Sequence, residues 1–250
     1  MKPVSRGHLN ETIVVWITKV SASQESLPYL ESCLDSKDQV RAARFRFPED
    51  RARFLLGRTL VRKSLGLYLH QSPETIELAH TSKGRPFFPQ DETLQFSISH
   101  TRDLVAIALT AGAKVGIDLE YMRLNLDLLE LARRILSVED FQIFQNTPTC
   151  EKSAAFFRAW TRKEAYLKAR GEGIAEGLQL VSVSLGAEKI SPIKDAREGC
   201  ASENWRLHTL PVSANYMGHL ACDDATKQIA FCPIHFERGE VIPDSPGSLT

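Results

Sequence analysis

No C-x-x-C pair occurs in the chain, and its five cysteines, Cys33, Cys150, Cys200, Cys222 and Cys232, are odd in number and scattered. That pattern suggests neither a zinc site nor a disulfide framework and fits free thiols in a reducing cytoplasm. No apolar run is long enough to span a bilayer. The opening residues, MKPVSRGHLNETIVVWI, lack the order of a signal peptide: the apolar stretch is short and no small-residue cleavage site follows it. Net charge is absent as well, with 31 Lys and Arg against 31 Asp and Glu. There is thus no global basic field to draw the chain to nucleic acid or to an anionic membrane, and anion binding must come from local clusters. A Walker A loop is missing. The glycines of GEGIAEG (171–177) have the wrong spacing for a dinucleotide fingerprint and follow a helical stretch instead of opening one. The nucleophile elbow G-x-S-x-G is missing too.

What is present is ordinary for a globular protein: 250 residues, 43% hydrophobic and 25% charged, enough for a substantial core in one large domain or two smaller ones. The β-branched run 12–20 reads as a strand, and 30–46 as a charged helix. Pro48 breaks the chain, and Glu49 and Asp50 open a second helix to about Leu69, where acidic residues in the first turn suit the helix dipole. SKGRPFFP (82–89) reads as a loop, and 94–99 and 104–110 as a hairpin joined by HTRD. The next strand covers 115–122. Helices are expected over 126–136, from Ser137 onward with a capping box to Asp140, and over 151–170, closed by the following glycines. Strands at 180–185, 204–212, 216–222 and 228–234 complete the reading, with a disordered tail over 241–250. Helices and strands mix without a regular βαβ alternation, so the fold class is α+β.

Three stretches carry chemistry. In Gly116-Ile117-Asp118-Leu119-Glu120, strand alternation sends Ile117 and Leu119 to one face and Asp118 and Glu120 to the other. Two carboxylates side by side repel unless a cation or a proton intervenes, and magnesium takes such oxygen ligands together with substrate phosphates. The plain alternative is a half-exposed strand with an acidic outer face. In Trp160 to Lys168, helical spacing stacks Trp160, Glu164 and Lys168 on one face, with Lys163 at its border. This is either a Glu–Lys surface pair over a tryptophan or a carboxylate for a metal or proton beside lysines for phosphate. The third is a set of arginines, Arg41, Arg44, Arg46, Arg51, Arg53, Arg58 and Arg62, with Arg85 in the G-R-P loop. Arginine suits forked recognition of phosphate, whereas structural ion pairs account for part of any such set. Ser99-His100 is no hydrolase dyad, because neighbouring strand side chains diverge.

The order G-R-P, F-S-I-S-H, G-I-D-L-E and W-T-R-K-E-A-Y-L-K, together with FRFPEDRARFLLGRTLVR (45–62), resembles the Sfp-type 4'-phosphopantetheinyl transferases over residues 38 to 174. The resemblance implies two similar α+β halves in a pseudo-twofold arrangement, 1–113 and 114–240, with coenzyme A in the cleft between them. It implies a monomeric, cytoplasmic enzyme that moves the 4'-phosphopantetheine of coenzyme A to a serine of an acyl or peptidyl carrier protein. Asp118, Glu120 and Glu164 match its magnesium ligands. Lys168 matches its pyrophosphate lysine, with Lys163 at the motif's other lysine. Ser99 and His100 match phosphate contacts, Arg53, Arg41 and Arg44 the basic group near the 3'-phosphate, and Arg85 and Pro86 the loop beside the adenine. Glu164, Lys168 and His100 are the expected catalytic residues, with Trp160 packed beneath. Asp38 departs from the pattern, standing where some relatives carry a lysine, and Arg85 replaces a frequent lysine. Two other readings use the same residues: a magnesium-dependent pyrophosphatase that passes the phosphorus to water, and a non-catalytic coenzyme A-binding module.

Overall fold

The computed structural model describes residues 6–172, 177–187, 193–198, 201–202, 204–237 and 240–243. The chain divides into two compact units, one made of residues up to Gly112 together with those from Thr226 onward, the other of Ala113–Ala225.

The first unit starts with α1 (Arg6–Glu11) and β1 (Thr12–Lys19). The expected single helix over 30–46 is two, α2 (Leu27–Ser32) and α3 (Ser36–Ala43), because the Asp35 carboxylate accepts the backbone N–H of Asp38 at 2.8 Å and starts a new helix there. Pro48 opens α4 (Pro48–Leu69), whose left-handed C-cap is His70. Two short strands, β2 (Ala79–His80) and β3 (Pro86–Phe87), pair antiparallel, the second of them within the stretch 82–89 expected to be a loop. The β4 (Leu94–Thr101) and β5 (Leu104–Ala111) hairpin turns on Arg102, with φ of 48°, and Asp103. α4 packs on β4 and β5, and Gly57 marks a close approach, since a Cβ there would lie 3.2 Å from Ile98. The core joins Trp16, Leu30, Leu55, Leu56, Leu60, Phe96 and Ile107.

The second unit begins with β6 (Val115–Tyr121), followed by α5 (Leu128–Ile135) and α6 (Val138–Asn146). Ser137 caps α6 by accepting the N–H of Asp140. α7 (Thr149–Arg170) ends at Gly171 with φ of 73°. A small sheet of β7 (Val181–Ser182), β8 (Ile193–Asp195) and β9 (Ala201–Ser202) precedes β10 (Arg206–Thr209) and β11 (Tyr216–Cys222). The strand expected over 180–185 stops at Ser182. Beyond it the backbone bonds to side chains: Val183 N–H to Asp140, Ser184 O to Arg162 and Leu185 O to Arg158. β10, β11 and β6 form an antiparallel sheet under α7.

Two expectations about the C-terminus are corrected. The second half does not run on to residue 240, because β12 (Gln228–Glu237) pairs in parallel with β1, Thr12 opposite Gln228, and so belongs to the first unit. The first sheet has the order β13-β12-β1-β5-β4. Residues 241–243 are not tail but part of β13 (Glu240–Pro243), antiparallel to β12; the rest of the expected disordered tail lies outside the described residues. No described helix is long and apolar enough to cross a membrane.

Candidate active site

The β6–β11 register sets out the site. Gly116 faces Ala221, Asp118 faces His219 and Glu120 faces Met217. Period-2 alternation puts all six on one side of the sheet. That side is covered by α7. At the first rung the covering is backbone against backbone, since a Cβ on Gly116 would lie 2.0 Å from the carbonyl oxygen of Ala165 and 2.4 Å from the nitrogen of Ala169. The glycine thereby draws the helix down onto the strand, and the next rung receives side chains from α7.

That rung is the acidic one. Asp118 is buried, 4% exposed, and so is Glu164, at 3%. The plain alternative, a half-exposed strand with an acidic outer face, does not hold: α7 covers that face, and of its two carboxylates only Glu120 at the third rung is partly open. Lys168 Nζ donates to Asp118 Oδ1 at 2.6 Å and to the Ile117 carbonyl at 3.2 Å. Burial first, and then the negative charge of Asp118, push the Glu164 carboxyl up to about 7, with Lys168 opposing and Glu120 adding to the rise. Three carboxylates from two elements thus share one field. An all-oxygen donor set under like-charge stress suits a hard divalent cation. No three acidic, histidine or cysteine side chains among the described residues stand at metal-holding distances. Trp160 is half-buried and stacks on Phe156, with ring centroids 6.2 Å apart.

Lys163 does not join this group. One residue from Glu164 is a 100° rotation on a helix, and it sends Lys163 to the opposite flank, against α5 and α6. There it is fully buried, paired with Asp140 at 2.9 Å and donating to the carbonyls of Ile135 and Leu178 at 3.2 and 3.1 Å. Its three N–H groups are used inside the fold, so the expected phosphate contact is replaced by a structural one. Sequence reading missed His219 altogether. Its Nδ1 lies 2.7 Å from Thr161 Oγ1, and its Nε2 accepts from Arg162 Nε at 3.2 Å. Burial, then Arg162 and Arg158, hold it well below the usual histidine range.

In the first unit the arginines divide. Arg62 is fully buried and paired with Asp35 at 2.5 Å and Asp38 at 3.0 Å; Arg58 pairs with Asp38 at 3.1 Å; Arg51 pairs with Glu31 at 2.6 Å. These three hold α4 to α2 and α3. Asp38, the departure noted in the sequence, is thus the buried counter-ion of two arginines. Arg53 bonds to Asp50 and donates to the Arg102 carbonyl at 2.8 Å, at the tip of the β4–β5 hairpin. Ile98, which packs under α4, and His100 fall on the same face of β4, so Arg53 and the exposed His100 gather at one end of the hairpin. Ser99 is buried, and alternation turns it to the other face, so the expected pair diverges. Arg41 lies over the Phe54 ring at 5.2 Å and Arg58 at 5.6 Å, while His80 Nε2 is 2.6 Å from Arg58. Burial, then Arg58, lower the His80 titration. Arg44 caps the end of α3 and is exposed. Arg85 donates to Gln95 at 3.4 Å and the Phe96 carbonyl at 3.3 Å, beside Pro86 in β3. That anchor lies about 13 Å along β4 from His100.

Acids on a strand facing a Glu and a Lys on a covering helix set oxygen donors suited to a hard cation beside an ammonium suited to phosphate. Residues 19–112 match the family model described as 4'-phosphopantetheinyl transferase, N-terminal, and residues 114–219 match that of the 4'-phosphopantetheinyl transferase superfamily. The 4'-phosphopantetheinyl transferase HetI of Nostoc sp. (strain PCC 7120) is 36% identical over 187 residues, 74% of this chain and 78% of that one. A phosphopantetheinyl transferase of Thraustochytrium sp. is 31% identical over 239 residues, covering 86% and 83%. The 4'-phosphopantetheinyl transferase psf-1 of Bacillus pumilus is 27% identical over 218 residues, covering 83% and 92%. The chain belongs to the 4'-phosphopantetheinyl transferase superfamily.

Proposed function

We propose that this chain uses Asp118, Glu120 and Glu164 to hold magnesium, and Lys168 to hold the pyrophosphate of coenzyme A, while it transfers 4'-phosphopantetheine to a carrier-protein serine. The transfer itself is the reaction of its family. The observation that supports the residue assignment is the second rung, where Glu164 and Lys168 of α7 face Asp118 of β6 in a buried setting. Magnesium, when bound, supplies neutralising charge to the pyrophosphate oxygens.

The residues of the chain then do the following. The serine Oγ forms a bond to the phosphorus on the pantetheine side, and the phosphoanhydride bond breaks to release 3',5'-ADP. Glu164, through the carboxylate oxygen that does not hold the metal, accepts the serine hydroxyl proton. Lys168 leaves Asp118 for the phosphate oxygens and, with His100, stabilises the charge of the leaving group. Arg53 and Arg41, with Arg44, take the 3'-phosphate, and Arg85 and Pro86 border the adenine. Ser99, turned away from His100, reaches the phosphates only through its backbone. The chain works as a monomer in the cytoplasm.

The test is a series of variants assayed with coenzyme A, an apo carrier and magnesium. Asp118→Ala and Glu164→Ala are expected to abolish transfer while retaining a cooperative melt. Near-normal turnover of Glu164→Ala at saturating magnesium would overturn both of its roles. A pyrophosphatase would instead release 3',5'-ADP without a carrier.

A further inference from the structure

Resting on this reading of the acidic site, we infer that His219 is a positioning residue for the transfer, fixing α7 so that Glu164 and Lys168 stand opposite Asp118. His219 sits directly across from Asp118 in the β11–β6 pairing and is only 1% exposed. Its two shorter hydrogen bonds go up to α7, at 2.7 and 3.2 Å, and a longer one of 3.5 Å joins Nε2 to Thr209 Oγ1 of β10. The guanidinium Nε of Arg162 always carries a hydrogen, so His219 Nε2 is the acceptor and the neutral ring carries its proton on Nδ1. Nδ1–H therefore donates to Thr161 Oγ1, whose own hydroxyl donates to the Phe157 carbonyl at 2.8 Å. Arg162 is anchored in turn, donating to the carbonyls of Ser184 and Gly186 at 2.6 and 3.1 Å.

Thr161 lies one turn before Glu164, and Lys168 one turn after it. Glu164 is thus held between two links from α7 to the sheet, Thr161–Arg162 to His219 and Lys168 to Asp118. The second link must open in use, because Lys168 turns to phosphate and Asp118 to the metal. The first link touches neither and persists through the reaction. Its geometry is also directional: a ring with one donor and one acceptor, each matched, admits one height and rotation of α7 over β11. Small residues at the first rung, Gly116 and Ala221, set how close the helix comes, and His219 sets where along the strands it stops.

The experiment compares wild type, His219→Leu, His219→Gln and Thr161→Val. Each is measured by thermal melt, by manganese binding followed by electron paramagnetic resonance without coenzyme or carrier, and by steady-state transfer. His219→Leu, measured well below its melting temperature, is expected to bind manganese about tenfold more weakly and to lose about tenfold or more in kcat, with the carrier KM unchanged. His219→Gln, which offers both an acceptor and a donor, is expected to recover most of both losses, and Thr161→Val to show a smaller loss in the same direction. A purely structural histidine would lower the melting temperature yet leave manganese affinity and kcat per folded molecule at wild-type values; that outcome overturns the inference. Should His219→Leu fail to fold, Thr161→Val carries the same comparison. A wild type that transfers phosphopantetheine but binds no manganese would instead overturn the reading of the acidic site.

Discussion

Lys163 and Lys168 belong to one nine-residue motif and stand on one helix, yet they do different chemistry. Lys168 is partly open and reaches Asp118; Lys163 is sealed between Asp140 and two carbonyls. Lys163→Met is therefore expected to lower stability by about 3 kcal/mol, because it strands the Asp140 carboxylate in the interior, while the coenzyme KM of the folded fraction stays at the wild-type value. Denaturant melts and coenzyme titrations check this, and a raised KM with unchanged stability would return Lys163 to the phosphate. Lys168→Ala is expected to do the reverse, raising the coenzyme KM with little loss of stability. Glu164 adds a pH signature. Its carboxyl is raised from an ordinary 4.5 to about 7, so the proton binds the folded state more tightly. The stability this gives is present below about 4.5 and is lost as pH rises through 7. Metal-free Glu164→Gln should accordingly match wild type at pH 4 and exceed it at pH 8 by roughly 1–3 kcal/mol, a range allowing for the partial screening of the site. Equal melts at both values would contradict the burial of this acid. That Asp118 and Glu120 share one strand face, and Glu164 and Lys168 one helix face, was legible in the sequence, since strand and helix periods place these side chains on defined faces. The roles of Lys163, Arg58 and Arg62 were not, because a period does not say what stands opposite a face.

At the scale of elements, the decisive contact is α7 on β6. The sequence marks both elements well: α7 by its length and its terminal glycine, β6 by alternation. It does not mark their apposition, and for that reason a half-exposed acidic strand stayed open as the alternative for Asp118, and His219 read as an ordinary strand residue. The pairing of β11 with β6, a hundred residues apart, creates the Asp118–His219 rung, and local pattern carries no trace of it. Gly116 is the one visible clue, explicable only once α7 lies on it. Gly116→Ala is expected to displace α7 and destabilise the second unit by several kcal/mol, since a Cβ 2.0 Å from the Ala165 carbonyl forces backbone to move. Transfer activity should fall with it. An alanine variant of wild-type stability would mean that the helix does not sit so close.

Across the whole molecule the chain returns on itself. β12 leaves the second unit and pairs with β1, while the matched family stretches end at residue 219. Just before β12, Lys227 is buried and donates to the carbonyls of Leu9, Asn10 and Ala111 at 3.1, 2.6 and 2.6 Å. Lys227→Met is expected to destabilise the first unit by about 2–3 kcal/mol by orphaning those carbonyls, and a chain ended at residue 225 should leave the β1 edge open and lose that unit's cooperative melt. Retention of the melt would make β12 dispensable. The sequence reading placed a strand at 228–234 correctly but gave it to the wrong half, because sequential order is the natural guide when no pairing is visible. The α+β class and the family were within reach of motif order alone. The central claim, that this chain moves phosphopantetheine from coenzyme A to a carrier with the help of magnesium, is tested most directly by the intact mass of an apo acyl or peptidyl carrier protein incubated with the chain, coenzyme A and magnesium. A gain of one phosphopantetheine group that is lost on chelation is expected; cleavage of coenzyme A with no gain on any carrier type, or a gain indifferent to chelation, would rule this reaction or its magnesium dependence out.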